Sequence, residues 1–149
     1  MPAIEGRGSP IRRLRRFMMA RLDVALGLSG GAAGEGPVGC LVVNTAIEVA
    51  PHDPRVGDVV AAALDAVRGV IIHLVAEAVE AREADPGTDV QLAAEQLFVL
   101  LQGANVLARV GSDRRDLRRL VDRSLVTMLR PTATVEPDES DQPDQPEVR

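Results

Sequence analysis

Apolar residues recur at three- and four-residue spacing in successive stretches of this chain, and each stretch is bounded by residues that start or stop helices. The first opens at Ser9-Pro10, a serine N-cap followed by proline in the first helical position. Ile11, Leu14, Met18, Leu22 and Ala25 then mark one face, with arginines on the other. Glycines from Gly30 to Gly36 make a connector, and residues 40–49 predict a short apolar helix closed by Ala50-Pro51. Asp53-Pro54 opens the strongest periodic run. It passes through Val56, Val59, Val60, Ala63, Leu64, Val67, Val70, Ile71, Leu74, Val75 and Ala78 to about Glu83. Ile72, Ala61 and Ala76 fall off that stripe, so this helix is expected to be central, with neighbours on more than one side.

Asp85-Pro86-Gly87 breaks the chain, and Thr88 with Gln91 reads as a capping box for the fourth helix. That helix is apolar nearly all round from Leu97 to Ala108, apart from Gln102 and Asn105, and Gly111 stops it. A fifth runs from about Asp113 to Leu129. Leu117, Leu120, Val121, Leu125 and Met128 lie on one face, and Arg114, Arg115, Arg118, Arg119 and Arg123 on the other. The fold class is all-α, a bundle of five helices over residues 9–130. The flanks, 1–8 and the acidic, proline-rich 131–149, hold too few apolar groups to offset ordering entropy and are expected to be disordered.

Composition narrows the chemistry. Aromatics make up only 1%, Phe17 and Phe98, so the core is aliphatic. All 17 basic residues are arginine, which excludes lysine Schiff bases and a phosphate loop built on lysine. A net charge of −5 argues against a chain devoted to nucleic acid. The interleaved Asp113, Asp116 and Asp122 make the arginines of the fifth helix a solvated face. One cysteine excludes an internal disulfide framework and fits a reducing cytoplasm. Arg21 and Asp23 interrupt the early apolar stretch, and no uninterrupted apolar run approaches the ~18 residues of a membrane span. The expectation is a soluble cytoplasmic protein with no membrane contact. No catalytic constellation appears, and the scattered His52, His73 and Cys40 make no metal site. Neither an enzyme nor a cofactor is expected.

The order of several short segments resembles the C-terminal half of a TetR-family (tetracycline-repressor-like) transcriptional regulator. The segments are Gly39-Cys40-Leu41-Val42-Val43-Asn44, Glu48, His52-Asp53-Pro54, Leu100-Leu101-Gln102-Gly103 and Leu107-Ala108-Arg109-Val110-Gly111 with Asp113-Arg114. The likeness runs from about Pro10 to Leu129. It implies a domain that dimerises through its last two helices and holds a small effector among the earlier ones. In that family DNA is read by an N-terminal helix-turn-helix. Met1 to Gly8 are too few to supply one, so DNA contact is expected only through a unit absent from this chain.

Candidate residues follow from the faces and the resemblance. Phe17, Met18, His73, Phe98 and Gln102 are candidates for an effector pocket, expected to suit a small, mostly apolar molecule. Gly103, Ala104, Leu107, Leu117, Leu120, Val121 and Leu125 are candidates for a homodimer interface of two helices against two. Gln102, Asn105 and Arg109 share a face, where buried amides would need partners in a ligand or across a dimer axis; an ordinary solvated or partner-satisfied stripe is the simpler reading. Cys40 falls where a helix begins, beside unpaired N–H groups that favour a thiolate, which makes it a candidate sensor of oxidants or electrophiles; most free cysteines are simply small apolar residues. The alternative to an effector-binding regulator is a stand-alone helical protein that heterodimerises with a full-length regulator.

Overall fold

A computed structural model describes residues 8–28 and 39–129, so the expected disorder of 131–149 and nearly all of 1–8 lies outside the described residues. Five α-helices follow in order: α1 Pro10–Ala25, α2 Leu41–Glu48, α3 Pro54–Glu80, α4 Val90–Arg109 and α5 Arg114–Leu129. There is no strand among the described residues. The all-α reading therefore holds, with helix ends within a few residues of those expected.

Local chemistry sets most of these ends. Pro10 starts α1 from Ser9, yet the serine side chain makes no capping hydrogen bond. A free N–H of that first turn is satisfied from far along the chain: Ile11 donates to the Glu83 carboxylate at 3.0 Å. Asp53 caps α3 by accepting from the Arg55 N–H at 2.9 Å. The α4 cap is Asp89, not the expected Thr88; its carboxylate accepts from the Leu92 N–H at 3.0 Å. Thr88 belongs instead to the preceding turn, where its N–H donates to the Asp85 carbonyl. Asp113 accepts from both Arg115 and Asp116 at the start of α5. Gly111, at φ +81°, ends α4 as expected. The end of α3 is less ordinary: Arg82 takes the left-handed position that glycine usually fills, at φ +56°.

The core draws on four helices. Leu14, Met18 and Leu22 of α1 meet Ile71, Leu74 and Val75 of α3, Leu97 and Leu101 of α4, and Val121 of α5, all essentially inaccessible. Each such side chain contributes roughly 1.5–3 kcal/mol by leaving water. As expected, α3 has neighbours on more than one side, packing on α1, α2 and α4, but α4 is the more deeply buried helix. Eight of its residues are buried and it packs on α1, α2, α3 and α5, whereas only five of the 27 residues of α3 are buried. The apolar stripe of α3 outruns its neighbours, and Val59 within it is 71% exposed.

Ion pairs join the helices over the core. Arg13 of α1 meets Glu77 of α3 at 2.6 Å, and Arg68 of α3 meets Glu95 of α4 at 2.7 Å. Arg118 of α5 pairs with Asp23 of α1, and Arg15 with Asp122. The hydrogen bond to Asp122 and then its charge raise the Arg15 guanidinium above its ordinary value. Two helices, α3 and α4, are long and apolar enough to cross a membrane by length and composition. In this fold α4 is the core helix, and the flanks of α3 carry the Arg13–Glu77 and Arg68–Glu95 pairs.

Candidate functional site

Three cavities bear on function. One, of about 260 Å³, lies at the start of α4 against α5, lined by Asp85, Thr88, Asp89, Leu92 and Met128 among others. Its helix N-terminus is already satisfied by the chain's own Asp89 carboxylate. A second, of about 210 Å³, lies between Ile11 and Arg15 of α1 and Leu125, Val126 and Leu129 of α5. Its charged groups are committed too: Arg15 to Asp122, and Glu83 to the Ile11 N–H.

The third cavity, of about 270 Å³ and open to solvent on one side, lies between α1, α2 and α3 and is lined by Phe17, Arg21, Val42, Ala63, Ala66, Val67 and Val70. Each wall follows from helical spacing. Phe17 and Arg21 are four apart on α1, and Ala63, Ala66, Val67 and Val70 form an i, i+3, i+4, i+7 stripe on α3. Two alanines stand in that stripe where leucines would have closed the gap, so α1 and α2 meet α3 over open space. Val42 projects from the first turn of α2. An apolar cavity of about 150 Å³ accommodates benzene; this one is nearly twice that size and, Arg21 apart, is walled by hydrocarbon.

The residues expected to line a pocket separate in space. Phe17 does line this cavity. Met18, one position on, is completely buried and belongs to the core. His73 points outward, with its side chain 59% exposed and Nε2 3.6 Å from the Glu77 carboxylate. Phe98 packs under the Arg68 guanidinium, whose carbon lies 4.6 Å from the ring centroid. Gln102 accepts a long 3.4 Å hydrogen bond from the Asn105 amide. Asn105 is 3% exposed, and its Oδ1 has no hydrogen-bond donor among the described residues. Arg109 leaves that face to pair with Glu48 of α2 at 3.2 Å.

The expected dimer face also divides. Ala104, Leu117, Val121 and Leu125 are covered by the chain's own helices and have no surface left for a partner. Gly103, Leu107 and Leu120 are exposed. On α4 the outward stripe runs Leu92, Val99, Gly103, Val106 and Val110, with the valines between 43% and 72% exposed. Nothing lies within 4 Å of where a Gly103 Cβ would be, so a second helix has room to approach there.

Cys40 occupies the N-cap of α2, half-buried, and makes no capping hydrogen bond with its side chain. The turn before it is narrow. Gly39 has φ +70°, and a Cβ there would come within 3.2 Å of the Arg109 side chain. The Gly39 N–H donates to the Ala25 carbonyl, which fastens the start of α2 to the end of α1.

A family profile described as the tetracyclin repressor-like C-terminal domain matches residues 10–123, spanning α1 to most of α5. The chain belongs to that family. Its domains are regulatory, and they generally dimerise and bind small-molecule effectors. No match was found among curated proteins or among solved structures. Within this TetR-type domain the cavity between α1, α2 and α3 lies wholly inside the matched region.

Proposed function

We propose that this chain is the effector-binding and dimerising half of a TetR-type, repressor-type transcriptional regulator, and that its effector is a small, mostly apolar molecule seated between α1, α2 and α3. The observation that carries the reading is the 270 Å³ cavity walled by Phe17, Val42, Ala63, Ala66, Val67 and Val70. Its size and lining suit a compact apolar ligand with one oriented polar contact. The outward stripe of α4 supports self-association, because its apolar residues continue past Gly103 with space for a second copy. DNA contact then depends on a helix-turn-helix unit that these five helices do not provide. A change of spacing between two copies is the means by which an effector would act on such units.

A thermal-shift panel of small apolar compounds tests the ligand reading, since a molecule that binds only the folded chain raises its melting temperature. Light scattering after size exclusion tests the assembly, with a dimer expected at micromolar concentration. A flat panel together with a monomer would favour the second reading, a helical protein whose exposed α4 stripe pairs with a full-length regulator.

A further inference from the structure

We propose that the cavity between α1, α2 and α3 takes an amphipathic monocarboxylate of about ten carbons, with its hydrocarbon against Phe17, Val67 and Val70 and its carboxylate at Arg21. This rests on reading that cavity as the ligand site.

The inference starts from Arg21. It is half-buried and lines the cavity, where it is the one charged residue. Other arginines that face a neighbouring helix have carboxylate partners: Arg15 with Asp122, Arg68 with Glu95, Arg109 with Glu48 and Arg118 with Asp23. Arg21 makes no ion pair or hydrogen bond with any described residue. Taking part of a guanidinium out of water without a counter-charge is unfavourable, and a ligand anion removes that cost. The planar fork of arginine matches a carboxylate with two parallel hydrogen bonds. A doubly charged phosphate would need more than one cation, and no second one lines the walls.

The remaining dimensions set the rest of the ligand. If a cavity of about 150 Å³ holds the six carbons of benzene, 270 Å³ has room for roughly eleven. Every wall residue other than Arg21 is Phe, Val or Ala, so the body of the ligand must be hydrocarbon. The other two cavities do not compete for an anion, because one presents Asp85 and Asp89 and the other has its arginine paired.

Decanoate and its neutral counterpart decanol are the probes, titrated calorimetrically into the full chain below the micellar concentration of the first and the solubility limit of the second. Decanoate is expected to bind at least about tenfold more tightly than decanol, the margin of a charge-assisted hydrogen bond. Arg21→Met, which keeps the stem and removes the charge, should bring decanoate down to the decanol affinity. Unchanged decanol binding in that variant shows that it folds and that the cavity persists. Ala63→Phe, which fills the cavity, should weaken both ligands. Equal affinity of the wild-type chain for the two probes would overturn the carboxylate and leave the apolar pocket standing. Failure of both to bind would remove the pocket reading and the inference with it. Unweakened binding to Ala63→Phe would place the probes elsewhere and overturn the inference as well.

Discussion

Replacing Asn105 by leucine should make the domain more stable. The two side chains have the same number of heavy atoms, branched at the same carbon, so the change alters polarity with little change of shape. Asn105 is 3% exposed on the inner side of α4, and no donor among the described residues reaches Oδ1. An unsatisfied buried oxygen costs ~1–3 kcal/mol. The one hydrogen bond lost, from Nδ2 to Gln102, is 3.4 Å long and contributes at most ~0.5–1 kcal/mol, and Gln102 is half-exposed, so water can replace it. Leucine also favours a helix interior over asparagine by a few tenths of a kcal/mol. The net expectation is a gain of about 1–2 kcal/mol, or roughly 4–8 °C in melting temperature for a domain of this size. Urea unfolding followed by circular dichroism would read it as a higher midpoint at unchanged slope. Asn105→Asp, which buries a charge in the same place, should lower the midpoint sharply. A lower midpoint for Asn105→Leu would refute the reasoning, because it would mean that Oδ1 is satisfied in solution.

Arg82→Gly should stabilise the chain by about 0.5–1 kcal/mol, since glycine takes φ +56° without the strain an L side chain carries there; thermal denaturation would show it. Leu97→Ala should cost roughly 3–4 kcal/mol in chemical denaturation, because Leu97 is fully buried at the centre of the four-helix core. Val106→Arg places a charge in the outward stripe of α4 beside Gly103. It should halve the mass seen by light scattering while leaving helicity unchanged, and a persistent dimer would move the interface away from that stripe.

Helix boundaries were legible where a few neighbouring residues decide them. Ser9-Pro10, Asp53-Pro54 and Gly111 act through their own backbone preferences, and the structure keeps all three. The start of α4 was misread by one residue because Thr88 and Asp89 both offer a side-chain acceptor, and the turn hydrogen bond to Asp85 engages the threonine N–H. Periodicity gave faces but not the fit between them. The long stripe of α3 predicts neighbours on more than one side, which α1, α2 and α4 supply, but not the gap that its alanines leave opposite α1 and α2. That shortfall of packing is the cavity. Phe17, an aromatic suited to an apolar wall, does line the cavity. Arg21, one turn beyond Phe17, reads from the sequence as part of the arginine face of α1, and Ala63 and Ala66 read as plain helix positions, yet all three line the cavity. A stripe that is apolar but small was the available signal. For Ala104, Leu117, Val121 and Leu125 the face was right, but a sequence does not say whether an apolar face meets its own chain or another copy.

The thinnest wall of the cavity is α2. Only Val43 among its residues is buried, Leu41 and Ile47 stand well out in solvent, and it is tied down by the Gly39–Ala25 hydrogen bond and the Arg109–Glu48 pair. A segment with so little buried surface opens at a small fraction of the free energy that unfolds the whole domain. Amide hydrogens of α2 should therefore exchange with solvent well before those of α4. A molecule resting against Val42 would slow them, which makes exchange in α2 a gauge of whether the cavity is filled.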